Sequence, residues 1–221
     1  DDTLETLSQK LECAVALEAS RADNTDNNNL EQVARLCLFY TRLSNLVVNK
    51  TYVDDSPVQG RGLFAACDCQ KGDLLTCYPG DALVIIPDGP EEETNVEENN
   101  VDADWTILWG EHVDKPYELD EFLMGYLLHA KDEFGVLALP WLDSNPAYLG
   151  HFCNDGVTMP TTMDQLSAYV IESNDKANAV HQDWDECHMV TLATKDIKKG
   201  EEIFVTYGPD YWIELNQIPE E

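Results

Sequence analysis

One pattern of residues occurs twice in this chain, at widely separated positions. Phe64-Ala65-x-x-Asp68-x-x-Lys71-Gly72-Asp73-x-Leu75 is matched by Leu192-Ala193-x-x-Asp196-x-x-Lys199-Gly200-Glu201-x-Ile203. Each copy reads as a strand, a polar turn and a second strand, because Lys-Gly-acid is good turn chemistry between apolar runs. Two copies so far apart do not make a solenoid. They commit the chain to a β-rich domain containing two similar hairpins.

The rest of the chain divides around that commitment. Residues 1–50 read as a helical N-terminal segment: Leu4, Leu7, Leu11 and Val15 recur at helical spacing, as do Leu30, Val33, Ala34, Cys37, Tyr40 and Leu43. The polar run from Asp23 to Asn29 connects them, with Asn29 and Gln32 placed as a capping box. That run lacks the glycine and terminal glutamate of an EF-hand calcium loop, having Asn28 and Ala34 there. From residue 51 short β-type runs take over: Leu63–Ala66, Leu74–Tyr78, Ala82–Ile86, Gly135–Leu139, Val190–Ala193 and Ile203–Tyr207. A helix is predicted over Leu119–Leu128. Two inserts interrupt the series, an acidic one over 87–118, whose stretch from Pro87 to Asp104 is expected to be a mobile loop, and a second over 157–176, expected as loop with a short helix. Residues 213–221 form a C-terminal tail. The class is α+β.

With 43 acidic and 13 basic residues among 221, the formal charge is −30. Such a field repels nucleic acid and attracts cationic partners such as lysine-rich tails; an acidic surface kept for solubility explains the charge equally well. No apolar run approaches a membrane span, since Leu83-Val84-Ile85-Ile86 stops at Pro87. The chain opens Asp1-Asp2, without a basic-plus-apolar leader. Seven cysteines, at 13, 37, 67, 69, 77, 153 and 187, are scattered through apolar surroundings, which points to reduced thiols in an intracellular protein. Cys67, Cys69 and Cys77 invite a zinc reading with Cys187-His188 as a remote completion; the spacing is poor for a tetrahedral site, and no structural metal is expected.

Three stretches carry the chemistry. Gln59-Gly60-Arg61-Gly62-Leu63-Phe64-Ala65 holds a Gly-x-Gly turn, where glycine lets the backbone approach a ligand. It does not open a helix after a strand, which disfavours a dinucleotide fold. Gly150-His151-Phe152-Cys153-Asn154-Asp155-Gly156 offers Asn154, at once donor and acceptor, in what is also an ordinary Asn-Asp-Gly turn. Gly200-Glu201-Glu202-Ile203-Phe204-Val205-Thr206-Tyr207-Gly208 places Ile203, Val205 and Tyr207 on one face of a strand.

In this order the three stretches resemble the SET domain, the protein-lysine methyltransferase module that uses S-adenosyl-L-methionine, over residues 51–212. The doubled hairpin resembles what SET domains carry on either side of their central insert. The resemblance implies a SET-like arrangement of several small β-sheets with the helical appendage in front. It makes Tyr207 catalytic, and Tyr78 and Val205 walls of a lysine channel. It assigns cofactor contacts to Gln59, Arg61, Gly62, Tyr126, Phe152, Asn154 and Asp155, with Arg61 facing the cofactor's carboxylate. Asn178 resumes the family pattern after the second insert. His151 stands where the family has arginine, and Asp155 where it has histidine. No cysteine cluster follows Tyr207, so Tyr211-Trp212 is the source of a lid over adenine, or else an aromatic anchor on the core. The implied substrate is a lysine in a basic protein or peptide, a histone tail first, in the nucleus or otherwise the cytoplasm, without direct nucleic-acid or membrane binding. A non-histone basic protein, or an inactive SET-like binding module, are the alternatives.

Overall fold

A computed structural model describes residues 42, 46–85, 106–109, 121–131, 134–184 and 188–216. Apart from Arg42 and residues 46–50, the helical N-terminal segment lies outside them, as do most of the acidic insert and Cys13, Cys37 and Cys187.

The described chain forms three small antiparallel sheets. Strands β1 (Thr51–Asp55) and β2 (Arg61–Ala65) make a hairpin around the Gly60 turn. Strand β3 (Leu74–Tyr78) pairs with β9 (His188–Ala193), which pairs with β8 (Ala179–Trp184). The third sheet has the order β5 (Thr106–Trp109), β4 (Ala82–Ile85), β7 (Phe134–Leu137), β6 (Leu127–Lys131). Helix α1 is Glu121–Met124, α2 is Met163–Lys176 and α3 is Pro209–Asn216; two 3-10 turns, Pro146–Tyr148 and Gly150–Phe152, lie between β7 and α2.

The two copies of the repeated pattern lie against each other with approximate two-fold symmetry. Gly72 N donates to Ala193 O and Gly200 N to Ala65 O, each at 2.8 Å. Cys69 and Ile197 exchange both backbone bonds, at 2.8 and 2.9 Å. Asp68 accepts from Lys199 N while Asp196 accepts from Lys71 N. Within each turn the acid caps its own loop, Asp73 on Gln70 N and Glu201 on Lys198 N. Gly72 and Gly200 have φ of 92° and 86°, a left-handed conformation that explains a glycine at each turn. The repeated letters are thus reciprocal contacts.

Between the sheets sits a core of Leu63, Leu75, Phe152, Ile197, Ile203 and Val205. Truncating one of its fully buried aliphatic residues to alanine should cost about 2–5 kcal/mol. A second cluster joins Leu46 and Val48 to Leu74, Cys77, Tyr148 and Val190, so the packed unit begins a few residues before 51. Arg42 forks onto both oxygens of Asp81 at 2.8 Å and onto Leu142 O, while Asp81 also accepts from Leu139 N. Cys69, Cys77 and Cys153 are buried free thiols; burial pushes Cys69 up to about 11 and Cys77 up to about 12.

Four local expectations change. The helix predicted over Leu119–Leu128 is only α1: Tyr126 N turns back onto Leu123 O, and Leu127 and Leu128 pair with β7 instead. An apolar run of that length suits either state, and the ladder decides. The stretch expected as a mobile loop, Pro87 to Asp104, lies outside the described residues, and beyond it the insert adds β5 to β4, a strand the sequence did not announce. The second insert carries a 14-residue helix, capped by Thr162 on Gln165 N, with Leu166, Tyr169 and Ser173 buried along one stripe. Residues Ile203–Tyr207 form no continuous strand: single bridges join Phe64 with Glu202 and Asn154 with Phe204, and Ile203 N and Val205 N donate to Leu63 O and Asn154 O.

Candidate active site

A cleft of about 660 Å³ opens where six segments meet: the Gly60 turn, the end of α1, Pro140-Trp141, the stretch from His151 to Asn154, Met159, and the run from Tyr207 to Trp212. That volume suits a nucleotide-sized ligand. Gln59, Arg61, Tyr126, Phe152, Asn154, Tyr207 and Trp212 all line it, so residues far apart in sequence are brought to one wall.

Each is held by a definable contact. Asn154 Nδ2 lies 3.1 Å from Gln59 O, Arg61 O and Glu202 Oε1, which staples the glycine turn to the Glu202 segment. Arg61 places its guanidinium 4.6 Å from the Phe152 ring centre and pairs with Asp143 at 2.6 Å. The Asp143 carboxyl is held below its ordinary range chiefly by that hydrogen bond. Asn178 stitches the 202–204 segment from behind, donating to Glu202 O and accepting from Phe204 N, both at 2.9 Å.

Tyr207 donates its phenol to Cys153 O at 3.0 Å. Its ring packs on Tyr211 and Trp212, with centroids 4.8 and 5.8 Å away. Burial raises the phenol far above its usual range, with Tyr211 adding to the effect, so it stays protonated at neutral pH. Its backbone N–H is held at 3.0 Å by Asp155. Trp212 is 4 % exposed and packs on Tyr169 of α2, serving as anchor and cleft wall together.

Four expected site residues do not line the cleft. Gly62 stands behind it: a Cβ there would lie 2.2 Å from Glu202 Oε1, so the glycine makes room for the carboxylate that Asn154 bonds. Asp155 is buried and turned away, accepting from Tyr169 Oη at 2.6 Å and from Ser173 Oγ at 3.0 Å. Val205 is packed into the central core. Tyr78 is buried with its hydroxyl given to Tyr126 O at 2.7 Å, one layer behind the wall.

The family model described as the SET domain matches residues 60–208. The chain belongs to the SET-domain family. No curated protein matches the chain. A solved Plasmodium falciparum structure, described as a candidate histone methyltransferase, is similar at 16 % identity with a TM-score of 0.37, covering 75 % of this chain and 99 % of its own.

In this SET domain the cleft also takes residues that sequence reasoning passed over. Phe122, Trp141 and Met159 line the cleft while remaining exposed, at 59, 52 and 45 %. Nothing in their local sequence separates them from surface hydrophobics. His151, noted only as a departure, lines the cleft and is 8 % exposed. Tyr169 and Ser173 hold Asp155 from α2; their signal was the helical spacing within the second insert. Among the described residues, no group of three or more His, Cys, Asp or Glu side chains is placed to hold a metal. No described helix is long and apolar enough to cross a membrane.

Proposed function

We propose that this SET domain methylates lysine side chains of a basic protein, a histone tail foremost, with S-adenosyl-L-methionine as methyl donor. The observation that carries the reading is Tyr207: a protonated phenol on the wall of an aromatic cleft, fixed by Cys153 O and shared with Arg61, Tyr126 and Asn154.

The residues fit such a cofactor. Arg61 offers a guanidinium for its carboxylate, Trp212 and Trp141 offer aromatic faces, and both ring nitrogens of His151 are buried without a partner. When bound, the cofactor supplies an electrophilic methyl on a sulfonium. The protein's task is to present a neutral amine to it. A lysine ammonium has a pKa of about 10.4 in water, and an aromatic cleft that strips water from it favours the neutral form. Tyr207, kept protonated and donating to Cys153 O, is no phenolate base; its oxygen lone pairs accept an N–H of the amine and orient it. Positioning then supplies much of the acceleration. The chain's net charge of −30 favours encounter with a cationic substrate, and a histone substrate carries a nuclear location with it.

A non-catalytic binding module is the second reading, favoured by one observation. Asn154 spends its amide donors within the protein and Asp155 faces away, so the altered motif offers fewer side-chain contacts to a cofactor. Thermal unfolding with S-adenosylmethionine or S-adenosylhomocysteine separates the two: a rise in Tm supports the enzyme, no shift the module. Labelled-methyl transfer to histones against ribosomal proteins then chooses between histone and non-histone substrates.

A further inference from the structure

Among the described residues, His151 is the one side chain with two buried polar atoms and no hydrogen-bond partner for either. Folded proteins seldom leave such atoms unmatched. The ring is not loosely placed. Gly150 lets the 3-10 turn press on β3, since a Cβ there would meet Cys77 O and Tyr78 Cα at 3.0 Å. Tyr78 and Tyr126 then approach the imidazole edge-on at 6.3 and 6.2 Å, and Phe152 lies 4.2 Å away. None of these neighbours hydrogen-bonds either ring nitrogen, and the Tyr78 hydroxyl proton is given to Tyr126 O.

Burial, with Arg42 and Arg61 adding to it, lowers the imidazole to about 3, so it is neutral under ordinary conditions. A neutral imidazole carries one donor and one acceptor. Arg61, which touches the same Phe152 ring, carries donors only. A carboxylate can be served by Arg61, whereas an ammonium needs an acceptor beside it. An α-amino-acid group presents both.

We infer that His151 hydrogen-bonds the α-amino-acid head of the methyl-donor cofactor, and with Arg61 reads that head as a zwitterion. The inference rests on the methyltransferase reading and gives this chain's own departure from the family's arginine a task. His151→Phe keeps a ring of similar shape and deletes both nitrogens; His151→Gln returns one donor and one acceptor.

The test is calorimetric binding of S-adenosylhomocysteine and of 5′-methylthioadenosine, which lacks the amino-acid head, to wild type and both variants. His151→Phe should weaken S-adenosylhomocysteine about tenfold. It should leave methylthioadenosine within about twofold of wild type, and the free protein should unfold no lower than wild type, two unpaired buried nitrogens having been removed. His151→Gln should recover most of the loss. Unchanged S-adenosylhomocysteine affinity in His151→Phe, or equal weakening of both ligands, overturns the inference. A wild-type protein that binds neither ligand overturns the methyltransferase reading itself.

Discussion

The two copies of the repeated hairpin share their turns and their hydrogen bonds, yet their outgoing segments are held by different means. After the first turn, β3 runs as a full strand along β9 and ends at Tyr78. After the second, residues Glu202–Tyr207 find single bridges on either side and end at Tyr207. Where the first has a continuous ladder, the second has isolated backbone bonds, such as Ile203 N to Leu63 O and Val205 N to Asn154 O. Polar side chains reinforce them: Asn178 brackets Phe204, Asn154 bonds Glu202, and Asp155 holds Tyr207 N. A segment freed from a sheet can place its last residue at a cleft. It then depends on a few replaceable groups.

The comparison is sharpened most by the two tyrosines. Tyr207→Phe should lower kcat about a hundredfold or more, with the melting temperature little changed. Tyr78→Phe loses one buried hydrogen bond and should cost about 1 kcal/mol of stability with activity largely kept. Equal loss of activity in both variants would dissolve the distinction between wall and second layer.

Next in size is the polar scaffold. Asp155→Ala strands Tyr169 Oη, Ser173 Oγ and Tyr207 N, and should cost about 3 kcal/mol in denaturant unfolding. Asn178→Ala removes two bonds to the same segment and should cost about 2 kcal/mol. If both cost less than a typical surface substitution, side chains are not what holds this segment.

The buried histidines give a smaller, pH-dependent effect. His151 is lowered from 6.5 to about 3 and His181 to about 4, both chiefly by burial. The unfolded chain therefore binds protons that the folded one refuses as pH falls below 6.5. Stability should drop through that window, by up to about 1.4 kcal/mol per pH unit for each histidine, and recover as pH rises. In His151→Phe the slope between pH 6 and 4 (within about the same window) should be shallower; an identical slope would contradict the assigned burial. The smallest effect belongs to the exposed turn contacts. Lys198→Ala breaks the solvent-facing pair with Asp68 in the symmetric half and should leave unfolding nearly unchanged.

What could be read from the sequence follows the range of the forces involved. The paired turns were legible because Lys-Gly-acid chemistry is local, though that the two turns would bond each other was not. Motif order groups Tyr207, Asn154 and Arg61, and the structure brings the three to one cleft. Val205 and Asp155 were placed by motif alone; the fold turns one into the core and the other toward α2, a choice made by tertiary packing. Leu127-Leu128 read as helix because an apolar pair carries no period, and only pairing with β7 settles its state. His151 was visible as a departure, but its surroundings depend on Tyr78 and Tyr126, rings brought to it from other parts of the chain.

Mass spectrometry of a histone mixture incubated with S-adenosylmethionine, using wild type and Tyr207→Phe side by side, tests the central claim most directly. The account predicts added methyl groups on lysines with wild type and almost none with Tyr207→Phe. No added methyl with a wild-type protein that binds the cofactor, or equal methylation by the two, would contradict it.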